Sequence, residues 1–140
     1  MQVQVQGVLP CDCSVHLRVV LQERPGGKSM RLPVDADIGR AILAEIHGLV
    51  NPYSRAIDLM AAAISAMNAS PRCLRLVQEG ASFQGELAIR TELGIQTIAL
   101  DPGSALLAAC RMDLPLFVPD PPGSEDIPAV YHSLLDGLDL

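Results

Sequence analysis

The chain has 140 residues, of which 49% are hydrophobic, so it is long enough for one domain whose core needs no disulfide or metal. Two Tyr, two Phe and no Trp leave that core to aliphatic side chains and argue against a large aromatic binding platform. The formal net charge of −6 falls mostly on residues 120–140, and the nearly balanced remainder argues against a broad basic face, so nucleic-acid binding would need a local cluster of arginines.

The first 34 residues predict a three-stranded meander. Residues 2–9 alternate polar and apolar side chains, which predicts a strand with one buried face. A second strand is predicted over 16–22, and a third over 29–34 after the Pro and Gly turn signals of 24–28. No export signal opens the chain, and no apolar run approaches the roughly 18 residues that cross a bilayer. We therefore expect a cytoplasmic protein without membrane contact.

Helical spacing replaces alternation after Asp35. Apolar residues from Ile38 to Leu49 predict one helix, and a second helix is predicted over 54–68 with Ser54 as its N-cap. Strand periodicity returns over 73–77, 82–90 and 95–100, followed by a helix over 102–112 and a short strand over 115–118. The sequence thus predicts a single α+β domain over 1–119. We expect a mixed sheet of six or more strands, helices mainly on one face, and a duplicated strand-strand-strand-helix unit.

The C-terminal 21 residues differ in composition from the rest. Residues 120–126 predict an acidic, Pro-rich linker, and apolar residues at helical spacing predict a C-terminal helix over 127–140. An acidic tail without contacts is the alternative. An apolar C-terminal helix and sheet edges that need protection favour a homodimer.

Few residues indicate chemistry by type alone. Asp101 is a favoured N-cap residue and Pro102 suits the first position of a helix, so this segment predicts a helix start. Cys11, Cys13 and His16 have the types and spacing of three zinc ligands, for which Cys73 or Cys110 would be the fourth, and a structural zinc site is the alternative to the free thiols expected in a reducing cytosol. Glu45, near the end of the first helix, is expected on a solvated face.

Four segments carry a resemblance to the bifunctional nuclease domain family. They are Val5–Val8, Leu32–Val34 with Ile46–Gly48, Asp58–Met60, and Asp101–Val118. The resemblance lies in their order and spacing and covers residues 1 to about 119. It implies hydrolysis of phosphodiester bonds in DNA or RNA, with Mg²⁺ or Mn²⁺ as the divalent cation.

The resemblance also implies a set of site residues. Asp58 lies at a position where the family has an acid, and is the candidate metal ligand and general base. Asp101 and Ser104 lie in the matching segment at the start of the last helix and are further catalytic candidates. Arg55 and Arg111 are candidates for contact with substrate phosphate by their residue type.

The matching segments differ from the family at several polar positions. The family's Arg-Pro-Ser-Asp-Ala is replaced by Asp101–Ala105, its Thr-His-Asp by Ala56–Asp58, and its Glu-Ala by Ile38–Gly39. Two hypotheses therefore stay open. One is a metal-dependent nuclease that uses Asp58 and Asp101, and the other is a catalytically degenerate member that serves as a dimeric binding or regulatory module.

Overall fold

A computed structural model describes residues 1–11, 13, 15–23 and 27–119. In chain order they form β1 (Gln2–Pro10), β2 (His16–Gln22), β3 (Ser29–Asp35), α1 (Ala36–Ile46), α2 (Ser54–Ala66), β4 (Ser70–Glu79), β5 (Ser82–Thr91), β6 (Gly94–Leu100), α3 (Pro102–Met112) and β7 (Leu116–Phe117). The predicted linker and C-terminal helix over 120–140 lie outside the described residues, as do residues 24–26 of the predicted turn.

All seven strands belong to one mixed sheet with the order β3-β2-β1-β7-β4-β5-β6. Strand β7 pairs antiparallel with β1 and parallel with β4. The two meanders therefore lie on either side of β7 and run in opposite directions. The predicted α+β fold and the duplicated unit are confirmed.

The duplication extends to local detail. The register of β1 shifts between Val5 and Gly7, and that of β4 shifts between Pro71 and Cys73, so the first strand of each unit carries a bulge. The final helix of each unit begins after an aspartate at the N-cap position, which is Asp35 for α1 and Asp101 for α3.

Helices α1 and α3 pack against each other on the same side of the sheet. Helix α1 contacts β1 and β2, whereas α3 contacts β4 and β5. A Cβ on Gly103 would lie 2.9 Å from Cγ2 of Ile38, which joins the N-terminal ends of the two helices, and Glu45 meets Arg111 at their C-terminal ends. The two helices therefore run parallel, and both contribute residues to the aliphatic core.

Helix α2 differs from its prediction at both ends. The residue at its N-cap position is Tyr53, which makes no side-chain cap hydrogen bond, so the prediction of Ser54 as the cap is wrong. The hydroxyl of Ser54 instead donates to Glu45. Ile57 and Ile64 are buried as their spacing indicates, but Met67 is 69% exposed because it follows the last helical residue.

Among the described residues, no helix is long and apolar enough to span a membrane.

Candidate functional site

The C-terminal ends of α1 and α3 meet the start of α2 in a group of polar side chains. We call it the helix-junction cluster, and its members are Glu45, Asn51, Ser54, Asp58 and Arg111. Asn51 and Ser54 are almost fully buried, although both are polar. Polar groups at this depth need partners, so the hydrogen bonds of the cluster decide what it can do.

Arg111 binds Asp58 through two parallel hydrogen bonds. Its Nε donates to Oδ1 at 3.0 Å and its Nη2 donates to Oδ2 at 2.7 Å, which is the bidentate geometry that guanidinium and carboxylate favour. The hydrogen bonds from Arg111 lower the pKa of Asp58 below its ordinary value. Asp58 is therefore ionised at neutral pH, and each of its oxygens accepts from the same cation.

Glu45 is the second carboxylate of the cluster, and its side chain is only 6% exposed. Its Oε1 accepts hydrogen bonds from Asn51 Nδ2 and from Ser54 Oγ, both at 2.9 Å, and lies 3.6 Å from Nη1 of Arg111. The expectation of a solvated Glu45 is wrong. It lies four residues after buried Ala41 and so on the same face of α1, which is the signal that would have placed it correctly.

Asp101 and Ser104 form the N-terminal cap of α3. Oδ2 of Asp101 accepts from the backbone N–H of Ser104 at 3.1 Å, and Oδ1 accepts from its hydroxyl. The predicted helix start is confirmed. The cap lies at the end of α3 opposite to Arg111, about 15 Å along the helix axis. The structure therefore does not bring Asp101 and Ser104 together with Asp58.

The two arginine candidates have different surroundings. Arg111 lies in the last turn of α3, and its guanidinium faces Asp58 and Glu45. Arg55 is exposed in the first turn of α2, three residues before Asp58, so the two side chains are neighbours on the helix surface. Arg111 therefore belongs to the helix-junction cluster, whereas Arg55 lies at an exposed position of α2.

The polar side chains of the helix-junction cluster do not suit a divalent cation. Within residues 1–11, 13, 15–23 and 27–119, no group of three or more His, Cys, Asp or Glu side chains is arranged to hold a metal ion. Asp58 and Glu45 both face Arg111, whose positive charge lies where a cation shared by the two carboxylates would bind. The helix-junction cluster therefore does not fit Mg²⁺ or Mn²⁺, which need several free oxygen ligands.

The chain matches no protein-family model and no curated protein. The function is therefore inferred from the geometry of the helix-junction cluster and of the α3 cap, together with the resemblance of the four segments.

Proposed function

We propose that the protein is a catalytically degenerate member of the bifunctional nuclease family, and that it acts as a dimeric binding or regulatory module. The observation that carries the proposal is the state of Asp58, the acid at a family-matching position. Both of its oxygens accept hydrogen bonds from Arg111. A carboxylate held in this way is a structural partner of the arginine.

The chemistry available to Asp58 supports this proposal. A general acid must carry a proton, but the lowered pKa of Asp58 leaves it ionised. A general base must be basic and a metal ligand must tolerate a nearby cation, but both oxygens of Asp58 accept from the guanidinium of Arg111. The positive charge of Arg111 lowers the basicity of the carboxylate and repels a divalent cation beside it, so the pair opposes both roles.

The N-terminal ends of α1 and α3 support the same conclusion. By the resemblance, position 38 carries a glutamate in the family and position 104 an aspartate. Here Ile38 packs so closely on Gly103 that an added Cβ would lie 2.9 Å away, and Ser104 donates both of its hydrogen bonds to Asp101. An apolar contact and a helix cap thus occupy positions where the family has acids.

The assembly as a homodimer is part of the proposal, and strand β6 supports it. This strand lies at one edge of the sheet, and all but its last residue are exposed. Ile95 and Ile98 are 57% and 38% exposed. An uncovered edge with apolar side chains favours pairing with another strand, and pairing with a second copy across a twofold axis satisfies both edges at once.

A nuclease assay tests the proposed loss of chemistry. The purified chain is incubated with single- and double-stranded DNA and with RNA, with Mg²⁺ or Mn²⁺ or with a chelator. We expect no cleavage above the chelator control for the wild type, for Asp58→Asn or for Asp113→Asn. The last variant is a matched control, because Asp113 is an exposed acid at the C-terminal end of the helix that carries Arg111.

Two results would contradict the proposal. Metal-dependent cleavage that Asp58→Asn abolishes and Asp113→Asn retains would establish a nuclease with Asp58 in its active site. Cleavage that survives both substitutions would also refute degeneracy and would place the reaction at residues outside the helix-junction cluster.

A further inference from the structure

A second group of reactive side chains lies near the start of β2, apart from the helix-junction cluster. Sγ of Cys13 lies 3.3 Å from Sγ of Cys11 and 3.3 Å from Nδ1 of His16. The other ring nitrogen of His16, Nε2, lies 3.8 Å from Oδ1 of Asp35. We call these four residues the thiol cluster.

The fold explains why these residues meet. Strand β1 ends at Pro10 and β2 begins at His16, so both cysteines lie between the first two strands. His16 is paired in register with Asp35, the last residue of β3, which places imidazole and carboxylate on neighbouring strands. The ring therefore has a thiol at one nitrogen and a carboxylate at the other, as in sites where a base activates a nucleophile.

The four cysteines differ in reactivity, and all are free thiols. Cys13 is exposed, and its hydrogen bond with Cys11, followed by that with His16, lowers the pKa of its thiol to about 7. Burial raises the pKa of Cys110 to about 11. At neutral pH roughly half of Cys13 is thereby thiolate, which is the form that attacks sulfur, whereas Cys110 stays protonated.

We propose that Cys13 and Cys11 form a thiol–disulfide exchange site, with Cys13 as the nucleophile, Cys11 as the resolving thiol and a disulfide R–S–S–R as the substrate. His16 accepts the proton of Cys13 as its thiolate forms. The thiolate attacks one sulfur of the substrate, a Cys13–S–S–R bond forms, and the substrate S–S bond breaks to release R–S⁻.

The second step returns the other half of the substrate. Cys11 loses its proton and attacks the sulfur of Cys13, so a Cys11–Cys13 disulfide forms and a second R–S⁻ leaves. The two released thiolates take up the two protons, and two electrons pass from the protein dithiol to the substrate. The sulfurs of Cys11 and Cys13 are already in contact at 3.3 Å and need to approach to about 2.0 Å for a disulfide.

The expected rate advantage of Cys13 is modest. Near pH 7 a thiol with a pKa of about 7 has a thiolate fraction about 15 times that of an ordinary thiol, but its lower basicity makes each thiolate about fivefold less nucleophilic. We therefore expect Cys13 to react about threefold faster than an ordinary exposed thiol. The cysteine that forms the disulfide with Cys13 is therefore a more informative readout than the rate.

The experiment treats the reduced full chain with oxidised glutathione at pH 7 and follows each cysteine by mass spectrometry of intact protein and peptides. The wild type should end as a Cys11–Cys13 disulfide without bound glutathione. Cys11→Ser keeps a hydroxyl donor beside Cys13 but removes the resolving thiol, so it should stop at a glutathione adduct on Cys13. Cys73→Ser is the matched control and should behave as the wild type.

Two further variants test the roles of the nucleophile and of the imidazole. In Cys13→Ser, the remaining Cys11 should form its adduct about threefold more slowly than Cys13 does in Cys11→Ser. His16→Gln keeps a polar side chain at the start of β2 and should slow the first step by a smaller factor, because the hydrogen bond with Cys11 lowers the pKa of Cys13 more than that with His16. Circular dichroism of each variant reports whether the fold is retained.

Several outcomes would overturn the proposal. They are a stable glutathione adduct on wild-type Cys13 without a bridge to Cys11, a bridge that involves Cys73 or Cys110, or equal rates for Cys11 and Cys13 in the single variants. The wild-type product alone distinguishes the first two outcomes, so the test does not depend on how well any variant folds.

Discussion

At the scale of single residues, Arg111 organises the helix-junction cluster. Its guanidinium contacts Asp58 on α2 and Glu45 on α1, so one side chain of α3 joins this helix to α1 and α2. Glu45 and Arg111 lie the same number of residues after the N-cap aspartates of their own helices. The duplicated unit therefore places opposite charges at equivalent positions, where the parallel helices bring them together.

The sequence predicted part of this site. Asp58 is a candidate by the resemblance and Arg111 by its residue type. The pairing of Asp58 with Arg111 was not predictable, because the two residues are 53 positions apart and helical periodicity carries no information about partners at that range. Local chemistry was more informative, since the cap formed by Asp101 and Ser104 follows from residue order alone.

The pair between Asp58 and Arg111 predicts a pH dependence of stability. The folded-state pKa of Asp58 lies below its ordinary value of 3.8. The pair therefore stabilises the fold fully above that ordinary value, and the contribution is lost as pH falls through the folded-state pKa. Asp58→Asn should lower the free energy of unfolding at pH 6, and its curve should merge with that of the wild type once the pH falls below the folded-state pKa of Asp58. Urea unfolding across this range measures the difference.

The control for Asp58→Asn is a second substitution that removes an acid near the same end of α3. Asp113→Asn removes one negative charge at the nearby end of α3 without removing the hydrogen-bonded partner of Arg111. If Asp58→Asn has the same effect at every pH, or none at pH 6, the bidentate pair does not stabilise the protein in solution.

At the scale of elements, the two units differ in where the glycine lies at the same contact between the middle strand and the final helix. In the first unit, Leu17 of β2 pairs with Val34 and meets Gly39 of α1. In the second unit, Gly85 of β5 pairs with Leu100 and meets Ala105 of α3. The large residue is on the strand in one unit, whereas in the other the strand has glycine and the helix carries the Cβ.

This difference between the units predicts that a substitution at Leu17 restores the stability that Gly39→Ala loses. A Cβ on Gly39 would lie 2.8 Å from both Cβ and Cδ1 of Leu17. Gly39→Ala should therefore destabilise the fold by about 1–3 kcal/mol, as overpacking of a core does. Leu17→Ala retains the clashing Cβ and should not relieve Gly39→Ala. Leu17→Gly removes it and recreates the arrangement of the second unit.

A double-mutant cycle measured by chemical denaturation tests this rescue. The interaction energy between Leu17→Gly and Gly39→Ala should be favourable, and about 1 kcal/mol or more greater than that between Leu17→Ala and Gly39→Ala. Equal interaction energies for the two cycles would show that the helix and strand move apart instead of clashing.

The bounds of the elements show where sequence patterns predict the structure and where they do not. The bounds predicted for β2 and α3 are those observed, because each has a clear period and a clear boundary signal. The cap of α2 was wrong because Ser54 has a stronger use as a donor to buried Glu45 than as a cap. Local preference was overridden there by a tertiary contact.

At the scale of the whole molecule, the order of elements predicted the duplication but not the arrangement of its halves. A strand of two residues such as β7 has too short a pattern to indicate its neighbours, so its place between β1 and β4 was not predictable. The edges of the sheet follow from this placement. With β7 in the centre, β3 and β6 become the outer strands.

The exposure of β6 predicts a dimer that depends on this edge. Light scattering at micromolar concentration should give twice the mass of the chain for the wild type. Ile98→Lys should shift the mass toward that of one chain, because a charge on an edge strand opposes pairing. Ser29→Lys is the matched control, since it adds the same charge to an exposed position on the opposite edge strand, and should remain dimeric. A wild type that is monomeric at this concentration would remove the dimer from the proposal.

The central position of β7 leaves the two halves of the sheet joined by a very short strand. In the sheet that the structure describes, the two meanders are not neighbours and are connected only through Leu116 and Phe117. Because this seam is only two residues long, the packing of α1 on α3 supplies contact between the halves that the sheet does not. The pair of Glu45 and Arg111 lies within that contact and therefore helps to hold the halves together.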